Sequence, residues 1–159
     1  MTDTPRVRIG VILDPPDAER PDSAPQASLA VHRWLAQATA FDAAGADALY
    51  VDVPMEFDPT ALVAALAAVT ARSAILVALP EGPARDTIAT LSRGRLSDPD
   101  DGWERVDMPD GRAAWATARA EAVERGVTGL LLPADPRLLD LLRNPDDHGD
   151  RSDLRLSVG

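Results

Sequence analysis

The chain has 159 residues and contains neither cysteine nor lysine. Without cysteine there can be no disulfide, no thiolate metal site and no thiol nucleophile. Without lysine there is no Schiff-base chemistry and no ammonium grip on a phosphate. Histidine occurs twice, as His32 and His148, and neither has a histidine partner four residues away. The usual imidazole spacing of a metal site is therefore missing, and no metal requirement is expected. The acidic stretch from Asp98 to Gly102 lacks the ligand spacing and closing glutamate of a calcium loop. No apolar run approaches the roughly 18 residues of a membrane span. The opening Met1 to Gly10 carries no signal-peptide pattern. Basic residues are outnumbered 16 to 26, for a net charge of −10. That balance repels phosphate backbones and anionic lipid. These absences set the expectation of a cytoplasmic protein with no nucleic-acid or membrane partner.

What is present reads as one globular domain. Apolar residues make up 45% of the chain, enough for a core at this length. Val7 to Leu13 is a short β-branched run ended by Asp14-Pro15-Pro16, which predicts a strand. Asp17 to Ala27 is rich in proline and aspartate and predicts a loop. Ser28 is placed to cap a helix whose apolar face is Val31, Trp34, Leu35, Ala38 and Phe41, closed by Gly45. Ala48 to Val53 predicts a second strand. Asp58-Pro59 then starts a helix with Leu62, Val63, Leu66 and Val69 inward.

Ala74 to Leu79 predicts a third strand, and Pro83 opens a helix ended by Gly94. Ser97 to Gly102 is rich in turn residues, and Trp103 to Met108 reads as a short strand or a loop. A helix with Trp115, Ala118, Ala122 and Val123 inward ends at Gly126. Leu130 to Leu132 is the last strand, and Asp135-Pro136 starts the last helix. Residues 1–145 form the domain and 146–159 a charged acidic tail. Strand–helix alternation with short connections argues for a parallel sheet.

In a parallel sheet, ligands belong at the carboxyl ends of the strands. Those ends hold Asp14, Asp52, Glu56, Glu81 and Asp135. A carboxylate in an apolar cleft can serve as a general acid or base. Asp52, between apolar neighbours at a strand end, is the leading catalytic candidate, with Glu81 beside it. Turn and cap roles compete for Asp14 and Asp135.

The stretches "VRIGVIL", "FDAAGADALYVDV", "DPTALVAALAAVTARSAILVALP" and "PARDTIATLSRGRL" come in that order. Together they resemble the luciferase-like family of flavin-dependent oxidoreductases, across roughly Arg6 to Leu96, with a fainter likeness from Gly126 to Leu142. The resemblance implies a truncated (β/α)8 TIM-barrel-like α/β domain with a parallel sheet of four to five strands, since a complete barrel takes about 250 residues. It implies an oxidoreductase or monooxygenase using FMN or a deazaflavin coenzyme. The alternative is an accessory or ligand-binding subunit that has lost the flavin site and holds no cofactor.

Several family members carry a histidine just after the second strand, where this chain reads Asp52-Val53-Pro54. On the resemblance, Asp52 and Glu81 are the catalytic candidates. Asp14, Arg93 and Arg95 are the cofactor contacts, with Arg143 a further phosphate candidate and Trp34, Trp103 and Trp115 candidates for stacking on the flavin ring. Half a barrel cannot close on itself, so its edges and apolar face predict a homodimer. The competing arrangement is a flat monomer with helices on both faces.

Overall fold

The computed structural model describes residues 6–16, 24–53, 58–99 and 102–144. Strands and helices alternate as β1 (Arg8–Leu13), α1 (Ala24–Ala44), β2 (Ala48–Val51), α2 (Pro59–Val69), β3 (Ala74–Leu76) and α3 (Pro83–Leu91). There follow β4 (Leu96–Ser97), β5 (Trp103–Arg105), α4 (Arg112–Glu124), β6 (Gly129–Pro133) and α5 (Pro136–Arg143). All pairings are parallel, in the order β4-β3-β2-β1-β6-β5.

Local chemistry accounts for most boundaries. Asp58 accepts from the Thr60 amide at 2.9 Å and Asp135 from the Arg137 amide at 2.8 Å, each ahead of a proline in the first helical turn. Gly45 closes α1 at φ 97°, a conformation costly for any residue with a Cβ. Ser28 does not cap α1, which begins a full turn earlier at Ala24. Pro25 suits a first turn because its φ is already fixed and its missing N–H would have no partner there. Four residues of the expected loop are thus helical, and residues 17–23 lie outside the described part.

The sheet has six strands rather than four to five. The additional piece is β4, whose two residues are too few for an alternating pattern to register in sequence. β5, three residues long, falls within the run from Trp103 to Met108 that reads as a short strand or a loop. β4 is held by pairing, with the Ile75 amide donating to Arg95 O at 2.7 Å and the Val77 amide to Ser97 O at 3.3 Å, and by Leu96 packed against the core.

The pairing register also sets the shape. Ser97 is level with Leu76, Tyr50 and Ile12, whereas Trp103 is level with Gly129 and Arg8. From Ser97 the chain must drop four residues of strand, about 13 Å, and reach the far edge of the sheet. In a flat sheet that edge is five spacings of about 4.8 Å away, so the diagonal is about 27 Å. The six Cα steps from Ser97 to Trp103 reach at most about 22 Å. A flat sheet therefore cannot be connected by this chain. It curls into a half-barrel, with β4 and β5 drawn toward each other.

The convex face takes the helices. Ile9, Val11, Leu13, Leu49, Val51 and Leu130 form one apolar cluster with residues of all five helices. Leu13, Phe41, Leu49 and Leu66 are each less than 2% exposed. Burial of a side chain of that size contributes about 1.5–3 kcal/mol. Four expected core positions fall outside this cluster: Val69 and Val123 are exposed, and Val31 and Ala118 are half-buried. No described helix contributes to the second cluster, on the concave face, so the flat arrangement with helices on both faces does not hold among the described residues. There Ala48, Leu76 and Leu131 are buried, with Ile12, Tyr50 and Trp103 packed over them. Gly10 and Gly129 supply the space for Trp103, because a Cβ on Gly129 would overlap the indole ring.

Candidate functional site

Asp14 follows β1 and Asp52 follows β2, and the register pairs Leu13 with Val51. The two carboxylates therefore leave adjacent strands at the same level, at the end where a parallel sheet presents its ligand. Both are exposed. Glu81 is also exposed and pairs with Arg85 at 3.5 Å. Sequence reasoning passed over Arg85, yet it organises this part of the rim. Its side chain is 16% exposed, donates to Leu79 O at 3.1 Å and pairs with Asp98 at 3.0 Å. Asp135 is occupied as the α5 cap. The Arg137 guanidinium and then the Arg137 amide hold its carboxyl below the usual range, against a small opposing effect of burial. Glu56 lies outside the described residues.

Arg93 and Arg95 stand at the other end of the sheet, in the turn from α3 into β4, so the structure does not bring them to Asp14. This was legible in the alternation itself, because a turn from helix to strand lies at the amino ends of the strands. Arg93 is exposed, with φ 56°. Arg95 is committed to the fold. Its Nη1 donates to Thr70 Oγ1 and Ser73 O, its Nη2 to Ala67 O and Thr70 O, and its Nε to Ser92 O, all at 3.0 Å. It thereby ties the ends of α2 and α3 to the start of β3. Arg143, in the last turn of α5, is exposed.

A second polar cluster at this end also escaped the sequence reading. Asp42, only 6% exposed, accepts from the amides of Ala71, Arg72 and Ser73 and from the Ser73 hydroxyl. Burial pushes its carboxyl up, but the bonds from Ser73, Ala71 and Arg72 together outweigh burial and hold it below the usual range. The signal was available: Asp42 falls four residues after Ala38 and eight after Trp34, on the buried stripe of α1.

The concave face carries a different chemistry. The Arg105 guanidinium lies 4.6 Å from the centre of the Tyr50 ring, and Arg8 lies 4.6 Å from that of Trp103. Arg105 and Tyr50 belong to β5 and β2, with two strands between them, and the curl brings them within reach. Neither Arg8 nor Arg105 has a carboxylate partner among the described residues. Of the three stacking candidates, Trp103 alone lies on this face; Trp34 and Trp115 are packed in the helical core.

No three potential metal ligands cluster among the described residues. No described helix is long and apolar enough to cross a membrane. Set against known proteins, the chain matches no family model, no curated protein and no solved structure.

Proposed function

We propose that the chain is a luciferase-like half-barrel that binds a flavin-class ligand, FMN or a deazaflavin, on the concave face of its sheet. It acts as a ligand-binding subunit rather than as a self-sufficient enzyme. The observation that carries this reading is the stack of exposed Arg105 on half-buried Tyr50, on a face that also presents Arg8 and Trp103. A flavin of this class joins a planar ring system to an anionic phosphate-bearing tail. A guanidinium resting on an aromatic ring keeps its in-plane N–H donors free for phosphate oxygens. In a chain of net charge −10, an anion is held only where cations are locally in excess. The commitment of Arg95 to five internal bonds speaks against a phosphate grip at the turn after α3.

The test is titration of the protein with FMN and with a deazaflavin, followed by flavin fluorescence. Saturable binding is expected, weakened at least about tenfold in R105A, as for loss of a charge-assisted hydrogen bond. No saturation with either ligand, or equal affinity in R105A, refutes the site. The second reading is a flavin-dependent oxidoreductase or monooxygenase. It is favoured by the pairing of Asp14 and Asp52 at the carboxyl end of adjacent strands, where either carboxylate could transfer a proton. Under that reading D52A loses turnover while it still folds, and unchanged turnover removes Asp52 from the chemistry.

A further inference from the structure

Four arginines among the described residues are half-buried: Arg85, Arg95, Arg112 and Arg119. Three of them have oxygen acceptors. Arg85 donates to Leu79 O and Asp98, Arg95 makes its five internal bonds, and Arg112 donates to Asn144 O and Asp140. Arg119 has neither a hydrogen bond nor a carboxylate partner among the described residues, in a chain that carries 26 acids. Its guanidinium lies instead 5.7 Å from the centre of the Trp115 ring, one turn earlier on α4. A cation partly withdrawn from water ordinarily finds an acceptor. Resting on a ring leaves its in-plane N–H donors available for one. Arg119 and Trp115 both line a cleft of about 330 Å³, within the range that holds small molecules. Val7 and Ile9 line it at the start of β1, and Leu141 and Leu142 line it from α5. Its other charged lining residue is Arg6, which lies 3.7 Å from Asp47. No acidic, hydroxyl or amide side chain lines it among the described residues.

We infer that this cleft binds a small monocarboxylate with an aliphatic body, whose carboxylate accepts from the Arg119 guanidinium. The planar fork of a guanidinium matches the two oxygens of a carboxylate. Arg6 is already shared with Asp47, so the cleft holds one cation without an acid partner, which suits a single negative charge. The valine, isoleucine and leucine walls cover the aliphatic body, and a polyol would find no side-chain hydroxyl or amide there. A cationic head would meet two guanidiniums and is repelled. The site lies on the helical side, at the amino ends of the strands, away from Asp14 and Asp52 and independent of flavin binding on the concave face.

The experiment uses the full chain, with octanoate, 1-octanol and octylammonium as probes, and reads the assigned indole N–H resonances of Trp115 and Trp103. Octanoate is expected to move the Trp115 resonance saturably and to leave Trp103 in place. 1-Octanol, the same body without the charge, is expected to bind at least about tenfold more weakly, as for loss of a charge-assisted hydrogen bond. Octylammonium is expected not to saturate. R119M keeps the apolar stem and removes the guanidinium. It is expected to lower octanoate to the affinity of 1-octanol and to leave 1-octanol unchanged. A Trp115 resonance that stays in place with octanoate up to its solubility overturns the proposal. So does equal affinity for octanoate and either of the other probes, a comparison that needs no variant. Undiminished octanoate binding in R119M overturns it as well. Movement of Trp103 alone places the probe on the concave face and also overturns it, while flavin binding is decided separately by fluorescence.

Discussion

Replacing Asp42 with alanine should be among the most damaging single changes available to this fold. The carboxylate accepts from three consecutive amides, Ala71 at 2.9 Å, Arg72 at 3.0 Å and Ser73 at 2.7 Å, and from the Ser73 hydroxyl at 2.8 Å. Ala71 and Arg72 are exposed, so water can replace the lost acceptor there. Ser73 is fully buried, so its amide would be stranded, while its hydroxyl can still turn to Ala46 O at 2.9 Å. A bond to a charged acceptor is worth about 1.5–3 kcal/mol, and a stranded buried donor costs about 1–3 kcal/mol. Allowing for resolvation of the exposed pair, D42A should lose about 3–5 kcal/mol in urea unfolding at pH 7. D42N keeps one acceptor oxygen and should lose about half as much.

The pH dependence has a definite sign. The carboxyl is held below its ordinary value in the fold. Its contribution is therefore complete above the unfolded value of about 3.9 and is lost as pH falls through the lowered folded value. The gap between the wild type and D42N should be widest above about pH 5 and should narrow steadily in acid. A D42A loss under about 1 kcal/mol, or a D42N gap unchanged down to the acid limit of folding, refutes this account of the loop between α2 and β3.

Adding a methyl group at Gly129 should destabilise the fold by about 1–3 kcal/mol, since the new Cβ meets the Trp103 ring. Trimming the ring in the double variant G129A/W103L should recover part of the loss, and strictly additive losses in thermal unfolding would disprove the contact. Light scattering at low micromolar concentration should give about twice the 16.9 kDa mass of the chain. The expected arrangement is a two-fold dimer that covers the short edges β4 and β5, with an interface above about 1,000 Å². A single-chain mass that does not rise with concentration rules it out.

Much of this fold is local and was readable residue by residue. A cap such as Asp58 or Asp135 needs only the next two amides, and the proline after each needs only its own ring. The stripe of Trp34, Ala38 and Phe41 repeats at helical spacing whatever it packs against, and the run Leu130 to Leu132 reads as a buried strand on composition alone. The parallel class followed from the order of these pieces.

Other features exist only through partners distant in sequence. β4 is a strand because β3 lies beside it, and its two residues carry no pattern of their own. Arg95 differs little in sequence from a surface charge, and the ends of two helices enclose it. Asp42 shows its burial by its place on the stripe of α1, but its hydrogen-bond donors come only with the turn from α2 to β3. The approach of Arg105 to Tyr50 depends on the curl. The curl was hidden because it follows from the register of six strands together with the short link from Ser97 to Trp103. A sequence specifies each side chain's chemistry and its local geometry. Which end of the sheet a charge reaches, and which face an aromatic ring covers, is settled when the strands pair and the short connections pull the sheet round.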